Sequence, residues 1–146
     1  SVIRLDKNYT EIKIPLNYFT KNHVRSMYFG ALCVGADCAG GLFAVNYIRR
    51  KGNNVNFLFK DFKADFLKRA EGDVHFISID GAKVITAVNK AIATKKRVNA
   101  PIHIIATTPK VSGNDIIATF DLTMSLKVKE PKKSLKEQIR ERLIAA

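Results

Sequence analysis

The sequence predicts a single α+β domain in which an antiparallel sheet wraps one long apolar helix. Residues 27–48 form an apolar run whose only charged member is Asp37, and residues 116–128 alternate apolar and polar side chains without a break. The remaining apolar stretches read as amphipathic strands whose apolar faces need a cover, which a helix hydrophobic all round supplies. At 146 residues the chain has room for one core, given domains of about 100–200 residues. Its 47% hydrophobic and 26% charged residues exclude a disordered segment, because enough apolar surface is available to offset the entropy of ordering.

The elements follow in order. Residues 11–16 place Ile12, Ile14 and Leu16 on one face, the alternation of a half-buried strand. The run over 27–48 comes next, and with Arg49, Arg50 and Lys51 behind it, it has the length and flank of a membrane span. Asp37 at its midpoint would cost about 2.5–3.5 kcal/mol on insertion, and Asn46 and glycines 30, 35, 40 and 41 interrupt it. A core helix is therefore expected, not a span. Val55, Phe57 and Phe59 share one parity and Phe62, Ala64 and Phe66 the other, so the strand carrying them needs a bulge near Lys60 and Asp61. Glu71-Gly72-Asp73 turns the chain into a strand over 74–79. Between 81 and 97 the period changes to 3.6, with Val84, Ala87, Val88, Ala91 and Ile92 opposite Lys83, Lys90 and Lys95, and with Asp80 at the N-cap. A β-branched strand over 102–108 and the long strand over 116–128 are expected to be neighbours across a turn at 111–115. Pro131 and the adjacent lysine pair mark a linker into a terminal helix over 134–146, so the expected organisation is one domain over 1–130 and a helical extension over 131–146.

Lys and Arg number 25 against 13 Asp and Glu, a formal charge of +12 with a pI near 9.9. Such a surface suits nucleic acid, anionic membrane or a phosphate-bearing small molecule. Nucleic acid is disfavoured because the Phe residues sit on apolar faces and not between basic residues as a stacking platform requires. Cys33 and Cys38 point roughly 140° apart on a helix and are read as buried free thiols in a reducing compartment. Residues 1–10 mix Arg4, Asp6 and Lys7 with apolar side chains, so no secretory signal is read there and a cytoplasmic location is expected. No P-loop, dinucleotide fingerprint or serine nucleophile elbow is present, and nothing around His23, His75 or His103 has metal-ligand spacing, so no metal is expected. A sheet of this size around one helix leaves a face partly covered, and a homodimer, or a tetramer of such dimers, is the simplest remedy.

The order of elements, with one apolar helix after the first strand and the other strands around it, resembles the hot-dog fold of the acyl-CoA thioesterase and dehydratase superfamily. The phenylacetyl-CoA-type subfamily carries Asn, then His-Gly-Gly, then an acid seven positions after the second Gly. Setting Gly30 on that second Gly places Asn22 and Asp37 on the family's Asn and acid without a gap, while Tyr28 stands at the His and Phe29 at the first Gly. The family's hydroxyl residue on the next strand falls near 65–67, where there is no Ser or Thr. Gly30-Ala31-Leu32, and a helix interrupting the sheet near 82–96, resemble an uncharacterised branch of the superfamily. The likeness spans roughly residues 5–129.

The resemblance implies acyl-CoA hydrolysis at a site shared across a dimer, with CoA entering as part of the substrate and no other cofactor. Gly30 and the first amides of the helix would hold the oxyanion. Asp37 would serve as general base for water or as nucleophile, with Asn22 holding water or the carbonyl. Asp37 lies about 10 Å along the axis from its own helix start, so it would act at the partner's. The alternative for Asp37 is a buried structural acid bonded to backbone amides, Asn46, Tyr28 or a partner subunit. Tyr28 and Phe29 would border the substrate. Lys68 and Arg69, and Lys96 and Arg97 after Lys95, could meet CoA phosphates, or could be solvated charge runs. His23 is not at the family's His position and reads as a solvated loop residue. The non-enzymatic alternative is an acyl or acyl-CoA binding protein of the same fold, in keeping with Tyr28 and Phe29 in place of His-Gly.

Overall fold

The computed structural model describes residues 1–52, 54–129 and 135–145. Its elements are β1 (Val2–Leu5), β2 (Thr10–Ile14), α1 (Phe29–Lys51), β3 (Val55–Phe66), β4 (Val74–Ser78), α2 (Gly81–Thr94), β5 (Val98–Thr107), α3 (Pro109–Ser112), β6 (Ile116–Val128) and α4 (Leu135–Ala145). The six strands form one antiparallel sheet in the order β1-β2-β4-β5-β6-β3. The alternation over 116–128 is β6 from end to end, and Phe120, Leu122, Met124 and Leu126 form the inner row of a strand paired on both edges. β5 is its neighbour, as the spacing required.

α1 packs against β2, β4, β5 and α2. It is long and apolar enough to cross a membrane, but 56% of its most apolar 18-residue window is buried against the sheet, as expected of a core helix. Small side chains on the buried side let the sheet come close. A Cβ on Gly35 would lie 2.3 Å from the ring of the fully buried Phe76, so only glycine fits there. β3 pairs with β6 along its length, and the register slips between Phe59 and Asp61, where the change of parity placed a bulge. Asp61 fixes that bulge by accepting the Thr123 N–H at 2.8 Å.

Several features differ from the sequence reading. β1 precedes the strand taken as the first; Val2 and Ile3 are exposed on this edge strand, so no alternation announces it. Asp80 stands at the N-cap of α2 but makes no cap bond. Its carboxylate accepts the His103 N–H at 2.7 Å and pairs with Lys83, closing part of the β5 edge that β4, which reaches only residues 105–107, leaves open. The cap comes from the β1–β2 turn, where Asn8 Oδ1 accepts the Ala82 N–H at 2.7 Å. Gly81 permits that approach, since a Cβ there would lie 2.7 Å from Asn8 Cα and from the Lys7 carbonyl. Asn8→Ala should therefore cost about 1 kcal/mol, read as a lower Tm with an unchanged circular dichroism spectrum. α2 stops at Thr94 because Lys95 adopts a left-handed φ of 55°. The turn after β5 contains α3 and Gly113, whose φ of 59° with ψ of −127° is open to glycine. Both cysteines are free, but Cys38 is exposed and only Cys33 is partly buried, because one strip of α1 has no cover among the described residues. The linker at Pro131, its lysines and Ser134 lie outside the described residues, and residues 136–145 of α4 are exposed.

Two acids tie β2 to its surroundings. The Leu16 N–H donates to Asp73 at 3.0 Å, and with nearby Lys13 and Lys110 it holds the carboxyl below its ordinary value against a smaller opposing effect of burial. Burial pushes Glu11 up, but hydrogen bonds from His75 and Tyr9 outweigh it and leave Glu11 below its usual range. An acid depressed on folding contributes stability above its unfolded pKa and loses it as pH falls through the folded one. The Tm advantage of wild type over Asp73→Asn should thus be full at pH 6 and vanish as pH falls well below the ordinary range of an aspartate carboxyl; an advantage independent of pH would contradict this linkage.

Candidate active site

The start of α1 is held from both sides. Met27 N–H donates to the Ala70 carbonyl and Tyr28 N–H to the Thr20 carbonyl, each at 2.8 Å. The first α1 bonds run from Ala31 and Leu32 back to the Tyr28 carbonyl. The amides of Phe29 and Gly30 have no partner among the described residues, as expected of the first residues of a helix. They carry the positive end of the helix dipole. Beside them lies a pocket of about 380 Å³ lined by Asn22, Met27, Phe29, Phe66, Lys68 and Arg69, among others. Four residues singled out in the sequence, Asn22, Phe29, Lys68 and Arg69, lie together along it.

Two of those expectations change in detail. Asn22 is taken up by its own loop: Oδ1 accepts the Val24 and Ser26 N–H groups and Nδ2 donates to Ser26 Oγ, which accounts for the left-handed turn at Arg25. Its side chain shapes the pocket wall. Gly30 is approached closely, but by the chain's own Tyr28 ring, since a Cβ would lie 2.1 Å from Tyr28 Oη. His23 is exposed.

Asp37 is exposed and makes no hydrogen bond or ion pair among the described residues, so neither Asn46 nor Tyr28 holds it. At 100° per residue, positions 34, 38 and 45 fall within about 40° of one another, with Asp37 roughly 60° to one side. Val34 is 56% and Val45 49% exposed, and Cys38 is exposed between them. Burial, and after it the Asp37 charge, pushes the Cys38 thiol up, so it is protonated at neutral pH and a poor nucleophile. β3 borders the same region as the last strand of the sheet, with Phe57 and Phe59 beside Gly40 and Gly41 of α1, Phe62 and Phe66 about half exposed, and Leu67 60% exposed just beyond it. The outer edge of β3 has no partner strand among the described residues, and an unpaired strand edge is a template for another chain.

The two basic pairs are far apart. Phe66, before Lys68 and Arg69, pairs with Ala118, whereas Val98, after Arg97, pairs with Leu126. Eight residues of β6 separate them, about 26 Å at 3.3 Å per residue. Lys68 pairs with Asp115 at 2.8 Å, and Arg97 donates to Ser125 at 2.9 Å. Lys96 and Arg69 are exposed.

A family model described as a domain of unknown function (DUF4442) matches residues 1–126. No curated protein matches the chain. Among solved structures, a Chlorobaculum tepidum protein of unknown function superposes with a TM-score of 0.75 at 11% identity, over 88% of this chain and 82% of that one. A Pseudomonas aeruginosa protein described as a probable thioesterase gives 0.71 at 18% identity, over 88% and 82%. A Haemophilus influenzae thioesterase gives 0.66 at 15% identity, over 90% and 81%. The likeness is one of fold, the hot-dog arrangement of a sheet around a central helix.

Proposed function

This chain belongs to the DUF4442 family, and from that membership and its hot-dog scaffold we propose that it is an acyl-CoA thioesterase whose site is completed by a second copy. The carrying observation is Asp37, a carboxylate without a partner among the described residues, on an exposed apolar strip of the central helix. Burying that strip and the β3 edge against a twofold mate would desolvate Asp37 and turn it toward the mate's helix start. There the Phe29 and Gly30 amides would stabilise the tetrahedral oxyanion while Asp37 takes a proton from the attacking water. The acyl chain would lie along Phe29, Phe66 and Leu67, and Arg69 would meet a CoA phosphate. The Haemophilus influenzae thioesterase and the probable thioesterase of Pseudomonas aeruginosa share the scaffold, and Gly30-Ala31-Leu32 at the helix start fits an uncharacterised branch of that superfamily.

One observation favours a second reading, binding of acyl-CoA without turnover: the Tyr28 ring occupies the space over Gly30. In the hydrolase reading that ring swings aside when the thioester enters. Thiol release from short, medium, long-chain and aryl acyl-CoAs, with binding followed in parallel, separates the two. Turnover of at least one class, lost in Asp37→Asn, is the expected result; binding without turnover across the panel would replace hydrolysis by carriage.

A further inference from the structure

A cavity larger than the one at the helix start lies at the other end of α1. It has a volume of about 670 Å³, within the range of about 300–1,000 Å³ usual for small-molecule sites. Phe43 is 14 residues beyond Phe29, about 21 Å along the axis, and Phe43, Tyr47 and Arg50 point to the side of α1 away from Val34, Cys38 and Val45. A mate covering the exposed strip would leave this cavity open.

Its floor is apolar: Leu5 comes from β1, Phe43 from α1 and Ile85 from α2. Phe43 and Tyr47 stack one turn apart with ring planes 8° from parallel, and Tyr47 is pinned by donating to Asn89 at 3.1 Å. The rim is cationic. Lys7, Arg50 and Lys51 border the cavity, and none of the three is in an ion pair among the described residues; Lys51 instead lies over the Tyr47 ring. Asp6, the acid at the rim, is already paired with Arg4. A helix C-terminus attracts cations, but its dipole amounts to only about half a negative charge. Arg49, Arg50 and Lys51 exceed that by themselves, and Lys7 arrives from another element. Among the described residues, the positive charge therefore has no counterpart.

We propose that this cavity binds an amphiphile with an anionic oxygen head, an aliphatic or aryl carboxylate or a phosphate monoester. The apolar part would lie on Leu5, Phe43 and Ile85, and the head among Lys7, Arg50 and Lys51. The site is separate from the proposed hydrolytic one and does not depend on that activity. Titration of the isotopically labelled full chain with decanoate, decyl phosphate, decyltrimethylammonium or adenosine 3′,5′-bisphosphate, read by amide chemical shifts, tests it. Saturable shifts at Leu5, Tyr47 and Ile85 are expected with one or both decyl anions, and the choice between them identifies the head group. The affinity should drop at least tenfold in Arg50→Glu/Lys51→Glu and in Ile85→Asp, and stay unchanged in Asp37→Asn. No saturable shift with either decyl anion, equal binding of the cation, binding of the bisphosphate alone, or shifts confined to the start of α1 would each overturn the proposal.

Discussion

Replacing Asp37 by Asn should lower kcat/KM for acyl-CoA by about 10²- to 10⁴-fold, the usual contribution of a positioned general base. The amide keeps the shape of the carboxylate but cannot accept the proton of the attacking water. Within the protomer Asp37 supports no hydrogen bond or ion pair among the described residues, so the substitution should change the stability of the protomer's own fold by no more than about 0.5 kcal/mol. A loss of turnover with unchanged Tm and unchanged association state would thus be a chemical effect and not a folding one. Steady-state thiol release at wild-type rate in this variant would remove Asp37 from the mechanism.

The second large effect is structural. Phe120→Ala should cost about 3–5 kcal/mol, from lost burial and the cavity left behind, out of a total that is typically about 5–15 kcal/mol. Phe120 is fully buried on the inner row of β6, with the rings of Phe62, Phe66 and Phe76 at 5.8, 6.0 and 6.2 Å. Phe66 in turn meets Phe29 edge-on at 5.6 Å, so the same ring supports the start of α1. Urea unfolding should show a large fall in midpoint. The milder Phe120→Leu should retain the fold while loosening the pocket, raising KM more than it lowers kcat. A Phe120→Ala protein with a wild-type midpoint would contradict this account of the core.

Much of the fold was legible because its periodicities are local. The alternation over 116–128 and the parity switch at Lys60 and Asp61 each depend on residues a few positions apart, and β6 and the β3 bulge follow from them. What escaped depends on contacts across the chain. Asn8 caps α2 from 74 residues away, and Asp80 spends its carboxylate on a strand edge. β1 owes its existence to pairing with β2, with only Leu5 at its end packed against the core. Around the site, the spacing from Asn22 through Gly30 to Asp37 led to the right loop and helix. It did not reveal that Asn22 is occupied by its own turn, that Tyr28 covers Gly30, or that Asp37 is exposed, because an apolar run of this kind does not say which strip the sheet leaves bare. The cavity at Arg50 had a signal, Phe43, Tyr47 and Lys51 at i, i+4 spacing, which the reading of 27–51 as one uniform apolar helix with a basic end passed over.

The central claim is that the base of one protomer serves the helix start of the other, and mixing two inactive variants tests it most directly. One carries Asp37→Asn; the other carries Gly30→Val, whose side chain occupies the space now taken by the Tyr28 ring. After co-refolding in equal amounts, half of the dimers contain one of each, and each of these has one intact site made from the two unaltered halves. Acyl-CoA hydrolysis should recover to about a quarter of the wild-type level, as twofold symmetry requires. Mixed dimers that form and stay as inactive as either parent would contradict a site shared between subunits.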